Sequence, residues 1–231
     1  MSSNLDIESL LATSLPGSRP ESVKQLANTA RVRETRENDL IFQQGNETPV
    51  TLVLRGHGVF RRTTLQGQQV MVGVAYPGGL FGITGVSGAT SSVDLVALTN
   101  GAVASWRGQE LRKVADRDPG LALSIVDRMV LFSTVLTEKL DGFLHQDARR
   151  RVVRVLARHR DLFFARPPIL TRAHLPALVG TSREMTGRVL RALEREGVVR
   201  RVGRTGLKLL DPELLANVND STQERAVVGY A

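Results

Sequence analysis

Cysteine is absent from all 231 residues. That absence excludes structural disulfides, cysteine-ligated zinc fingers, thiolate-held iron–sulfur clusters and thiol-based switching. Aromatic residues make up only 4% of the chain, and no strip of rings accompanies its basic residues, so RNA is a poor fit as partner. There are four histidines, His57, His145, His159 and His174, none in a His-x-His metal pattern. No P-loop, HExxH or G-x-S-x-G motif occurs. Gly79, Gly82 and Gly85 lack the following lysine that phosphate chemistry needs, so strand turns account for them and no enzyme is expected. A long uncharged run does exist at 70–93, but glycines and Pro77 interrupt it too often for a spanning helix. It reads as short buried strands. The first residues, MSSNLDIE, carry early acids and only a short apolar run, unlike a secretory signal. A cytoplasmic protein with no membrane partner is expected.

The charge that is present is unevenly placed. Residues 1–147 carry 14 Lys/Arg against 15 Asp/Glu, while residues 148–231 carry 17 against 8. The whole basic excess therefore belongs to the C-terminal part, as expected of phosphate contacts. Nearly all of these cations are arginine, which favours bidentate pairing with phosphate.

Within that basic part, residues 181–194 read TSREMTGRVLRALE. Thr181 with Glu184 three positions on forms a capping-box pattern, and Met185, Val189, Leu190 and Leu193 recur at the spacing of one buried helical face. Arg183, Glu184 and Arg188 then share the exposed side near the N-terminus. A guanidinium matches O6 and N7 of guanine and a carboxylate accepts from N4 of cytosine, so this face suits a half-site containing G·C pairs. The plainer alternative is a solvated face with a Glu184–Arg188 pair, and the surrounding positive charge favours the DNA reading. A shorter apolar helix capped by Thr171 precedes it, with Gly180 as the turn between them. The pair makes a helix-turn-helix. Residues 197–210 then alternate apolar and basic around a Gly203–Gly206 turn, a hairpin placed as a wing. Arg201, Arg204 and Lys208 on it, with Thr171, Thr181 and Ser182 at the helix starts, are the expected phosphate partners.

The N-terminal part reads as β. Strands are expected at 40–42, 50–54, 58–63, 69–74, 93–97 and 101–106, after a helical preface over about 7–30. Such regular short strands argue for a small antiparallel sandwich or roll. Asp118-Pro-Gly then starts a helix reaching to about 143. Ile125, Met129, Phe132, Leu136, Leu140 and Phe143 form a coiled-coil-like seam along it, the expected homodimer contact. Leu123, Val126, Val130 and Val135 make a second apolar face, available to pack on the helix's own domain.

This order of elements resembles the CRP/FNR superfamily of bacterial transcription regulators over roughly 39–211. The most specific likeness is VGTSREMTGRVL at 179–190, which is similar to the reading motif of the cyclic AMP receptor subgroup. The resemblance implies an α+β fold: an N-terminal antiparallel β-roll like a cyclic-nucleotide-binding domain (1–118), a long dimerisation helix and hinge (119–146), and a C-terminal winged helix-turn-helix (147–231). It further implies that Arg183, Glu184 and Arg188 read a TGTGA-like half-site in an inverted repeat, that Asp147 begins the first helix of the DNA-binding domain, and that RNA polymerase is a partner. The loop 159–168 lies near where relatives meet polymerase, although Phe163 and Phe164 in it also suit a small core.

The ligand positions depart from the family pattern. Cyclic-nucleotide binders place a glutamate on the ribose hydroxyl and an Arg-Ser pair on the phosphate. Here Gly82-Ile83-Thr84 and Ser91-Ser92 stand there, with Ile83 for the glutamate and Ser91 for the arginine. Leu136 and Thr137 occupy the long-helix positions that meet the base. A buried phosphate without a cation is costly, so cyclic AMP is not expected as effector, and no cofactor is expected. Two modes of control stay open: abundance alone, or a different small molecule such as a cyclic dinucleotide or haem, for which each histidine reads more readily as structural than as an axial ligand.

Overall fold

The computed structural model describes residues 2–67 and 69–216. The expected last part of the C-terminal domain, 217–231, lies outside the described residues. The chain divides into two compact units, residues 2–67 and 72–135 in one, and 136–216 with Gln69–Met71 in the other.

The first unit begins with helices α1 (Ser2–Ser14) and α2 (Pro20–Thr29), then strands β1 (Arg31–Thr35), β2 (Leu40–Phe42), β3 (Val50–Arg55), β4 (Gly58–Thr63), β5 (Gln69–Ala75) and β6 (Leu80–Phe81). A 3-10 turn (Ile83–Ser87), β7 (Asp94–Ala97), β8 (Gly101–Trp106), α3 (Gly108–Ala115) and the start of α4 (Pro119–His145) follow. Two four-stranded sheets, β1-β8-β3-β6 and β2-β7-β4-β5, face each other. Their inner sides bury Phe42, Val53, Phe60, Ala75, Phe81, Leu95 and Val103 in one cluster, the alternation expected of sheet-on-sheet packing. A second cluster joins Ile7, Leu11 and Leu26 of the first two helices to Leu52, Trp106 and Leu121. Buried Trp106 satisfies its indole by donating Nε1–H to the Leu26 carbonyl at 2.8 Å.

The preface is thus two helices, broken by Pro16-Gly17. Gly17 earns its place by close approach, since a Cβ there would lie 2.8 Å from the Gly120 carbonyl oxygen. Its N–H donates to Ser124 Oγ at 2.9 Å. Buried Asp118 caps α4: Oδ1 accepts from the N–H of Gly120 at 3.1 Å and of Leu121 at 3.2 Å, and Oδ2 from Arg19 N–H at 2.8 Å. Burial opposes its ionisation, but the Ser22 hydroxyl and those backbone donors outweigh it and hold the carboxyl below its ordinary range.

The faces of α4 differ from the sequence expectation. Leu121, Ser124 and Val135 are buried, and Ile125 packs partly against the first unit's core rather than forming part of an open seam. Arg128 joins them, donating Nε–H to the Ser14 carbonyl at 2.6 Å and Nη1–H to the Leu80 carbonyl at 3.3 Å. Leu123, Val126 and Val130, expected to face inward, are each more than half exposed. Met129, Phe132, Leu136, Leu140 and Phe143 are 37–54% exposed. Both faces are apolar, so periodicity alone could not tell which one the domain takes. The helix is long and apolar enough to cross a membrane, yet its inner face is that of a helix docked in a folded domain.

The second unit contains the end of α4, then α5 (Ala148–Arg158), α6 (Arg160–Phe163), α7 (Leu175–Val179), α8 (Arg183–Arg195), the hairpin β9 (Val199–Val202) and β10 (Gly206–Leu209), and α9 (Pro212–Ala216). Asp147 caps α5, Oδ1 accepting from Arg150 N–H at 2.7 Å. Val152, Leu156, Phe163, Leu170, Leu175 and Leu193 fill the core, so Phe163 is a core residue and Phe164 is half-buried.

Candidate nucleic-acid interface

The helix-turn-helix is built from α7, Gly180 and α8. Gly180 adopts φ +66° at the end of α7, the left-handed conformation that glycine takes without cost. The Phe143 ring packs on it so closely that a Cβ would come within 2.4 Å of Cε1, and the Arg151 guanidinium lies 5.4 Å above the same ring. Phe143, expected on the dimer seam, therefore also supports the turn. Pro176 falls in the first turn of α7, where its missing donor is not needed.

The cap of α8 is Ser182 rather than Thr181. Ser182 Oγ accepts from Met185 N–H at 3.1 Å, while Thr181 N–H closes α7 by donating to the Pro176 carbonyl at 3.1 Å. Neither does Thr171 cap α7: His174 sits at that position without a side-chain cap, and its Nδ1 accepts from Thr171 N–H at 2.9 Å. Serine and threonine both serve as caps, serine somewhat the better, and the Thr181–Glu184 capping-box spacing favoured the wrong one of two adjacent candidates.

Buried Thr186, Val189, Leu190 and Leu193 anchor α8. Arg183, Glu184 and Arg188 are all exposed on its first two turns. Glu184 is paired to Arg188, Oε1 to Nη2, at 3.0 Å. A pair this exposed is worth little, and it can be exchanged for base edges. Further along the same side, Arg188, Arg191, Glu194, Arg195 and Arg201 line a groove of about 470 Å³, four guanidinium groups to one carboxylate. Arg201 is already engaged: its N–H and Nε–H donate to Glu194 at 3.0 and 2.7 Å, and these bonds, the backbone one first, hold that carboxyl low. Arg204 and Lys208 are exposed on the hairpin.

Of the expected ligand positions of the first unit, Ile83 and Ser91 are buried within the fold, beside a packed aromatic cluster, and Ser92 is exposed. Phe60 meets Phe81 at 4.8 Å and Phe42 at 6.4 Å between ring centroids. Ile83 is 3% exposed and belongs to the apolar core. Gly82 presses on the Pro49 carbonyl and Gly85 on that of Thr48, where a Cβ would clash at 2.1 and 2.0 Å. Ser91 is buried, its Oγ donating to the Val93 carbonyl at 2.6 Å, and the Ser92 carbonyl accepts from Arg62 Nη1–H at 3.1 Å. Thr84 is half-buried in the 3-10 turn, and Leu136 and Thr137 are exposed on the second unit's stretch of α4.

Among the described residues no group of three or more His, Asp or Glu could hold a metal. His57 is half-buried, its ring edge-on to Tyr76 at 5.4 Å. His145 lies 3.8 Å from Asp141. Burial, with the charges of Arg158 and Lys139, lowers the His159 imidazole to about 3, and burial also lowers His174.

Residues 150–218 match the Crp-like helix-turn-helix domain and residues 32–118 the cyclic nucleotide-binding domain. The chain is 30% identical to the cyclic AMP receptor protein of Thermus thermophilus over 187 residues, 80% of this chain and 86% of that one. It is 25% identical to the cAMP-activated global transcriptional regulator Vfr of Pseudomonas aeruginosa over 196 residues, 79% of this chain and 90% of the relative. Among solved structures, the c-di-GMP responsive global regulator CLP of Xanthomonas campestris superposes with a TM-score of 0.69 at 21% identity, covering 84% of this chain and all of that one. That last likeness is one of fold.

Proposed function

The chain belongs to the CRP/FNR superfamily of bacterial transcription regulators, and we propose that it acts as a homodimer reading an inverted repeat with TGTGA-like halves, without control by cyclic AMP. The observation that carries the DNA reading is α8: a Ser182-capped helix anchored by Val189, Leu190 and Leu193, with Arg183, Glu184 and Arg188 exposed on its first turns. Guanidinium pairs on guanine and a carboxylate on cytosine give that face its sequence preference. The exposed apolar stripe of α4 suits a second copy of the same helix, which would set two reading helices about one helical turn apart on DNA. RNA polymerase is the proposed partner at promoters, and the cytoplasm the proposed site of action. The family is one of regulators rather than enzymes.

Two relatives bear cyclic AMP in their names, but this chain lacks the chemistry for it. Ile83 is committed to the core, Ser91 hydrogen-bonds its own loop, and phenylalanine rings occupy the space between the sheets. Abundance-controlled binding fits these facts best, and a different effector would need a site elsewhere. Selection from a random duplex library without added nucleotide tests the proposal. An enriched inverted repeat containing TGTGA-like halves supports it, whereas enrichment that appears only with cyclic AMP contradicts it.

A further inference from the structure

The wing is too small to hold its own shape. Its two strands have four residues each and, among the described residues, pair with one another alone, and an isolated two-stranded ribbon is marginal in water. Gly203, at φ +56°, and Gly206 bracket its tip, which adds backbone freedom exactly where Arg204 sits. A residue outside the hairpin holds the carbonyls of that tip. Arg172, in the turn before α7, donates its backbone N–H to the Thr205 carbonyl at 3.0 Å. Its Nη2 reaches the carbonyl of Gly203 at 3.1 Å and that of Arg204. Three successive tip carbonyls thus converge on one arginine, while the Glu194–Arg201 pair fastens β9 to α8 just below the tip.

We infer that Arg172 is a positioning residue that latches the wing tip, fixing Arg204 for the DNA backbone instead of meeting a phosphate itself. This rests on the DNA reading proposed above. A guanidinium oriented on carbonyl oxygens is directed away from the role its charge suggested. What it contributes to binding is order: the tip is set before DNA arrives, so less freedom is lost on association.

The test uses the full-length protein with Arg172→Ala, Arg204→Ala and the double variant, plus Arg172→Lys, on a duplex carrying the selected site. If Arg172 acts through Arg204, the two effects overlap. Each single change then weakens binding by about tenfold, and the double by little more than Arg172→Ala alone. Lysine keeps the charge but not the forked donor geometry, so it restores little of the affinity. In the free protein, Arg172→Ala should also speed amide exchange in β9 and β10 while leaving the buried turns of α8 unchanged. Losses that multiply to about a hundredfold, full rescue by lysine, or unchanged wing exchange would overturn the latch. A wild-type protein with no sequence preference would instead overturn the DNA reading, and the exchange measurement would still decide the latch.

Discussion

Gly180 is constrained twice, by a backbone φ of +66° and by the Phe143 ring seated on it. Gly180→Ala should therefore cost roughly 1–3 kcal/mol of stability, measured by urea unfolding of the full chain, and weaken operator binding in parallel. The sequence marked this glycine as the turn, but nothing local in it announced the ring, because Phe143 is distant along the chain. Ile83 shows the same limit from the other side. The chain's departure from the family pattern was legible at that position, whereas its membership of the apolar core emerged only from packing. Restoring a carboxylate by Ile83→Glu should lower stability by about 2 kcal/mol or more, since an unpaired charge enters a site closed to water. A thermal melt checks this, and a variant as stable as the parent that binds cyclic AMP would show Ile83 to line a ligand site.

Elements were legible in proportion to the clarity of their apolar patterns. The strands Leu40–Phe42, Gly58–Thr63 and Gly101–Trp106 and the start of α4 at Pro119 follow the expected bounds. β1 escaped because Arg31, Val32, Arg33 and Glu34 on this edge strand are all exposed, leaving no alternation to detect. β6 is only two residues long. The amphipathic α3 was missed beside the longer apolar helix that follows it. In α4 the pattern gave an apolar helix without its orientation. Its exposed stripe makes Met129→Glu with Leu136→Glu the test of the dimer: sedimentation should show monomers, and operator affinity should fall sharply. At the α5–α6 junction, His159 links stability to pH. Its folded value near 3 lies below the ordinary 6.5, so between those values the unfolded chain binds a proton that the folded one does not. Stability should thus fall as pH drops from about 6.5, by up to roughly 1.4 kcal/mol per pH unit. His174 acts with the same sign, whereas Asp118 and Glu110, the latter held at about 2 chiefly by Arg31, contribute only at lower pH. Denaturant midpoints between pH 7 and 5 isolate the histidine effect, and a flat profile there would contradict it.

At the scale of the whole molecule, the division of charge was the clearest sequence signal. The neutral balance of the first 147 residues and the basic excess of the rest already set the helix-turn-helix part apart from the part before it. Charge alone could not distinguish cations that touch bases from those that touch phosphate or hold the protein together. Arg149 is bound to Glu196 and Arg201 to Glu194, and Arg188 is paired with Glu184 on the exposed face of α8, where it and Arg183 are the arginines proposed to read bases. The most direct test of that account is the affinity of wild-type, Arg183→Ala and Lys208→Ala proteins for a set of single-base operator variants at two salt concentrations. Arg183→Ala should cost about 1–3 kcal/mol and flatten the preference at particular G·C pairs, while Lys208→Ala should weaken all variants alike and lower the salt slope by roughly one. If Arg183→Ala instead weakens every variant equally and leaves the preferred sequence unchanged, α8 does not read bases and the account fails.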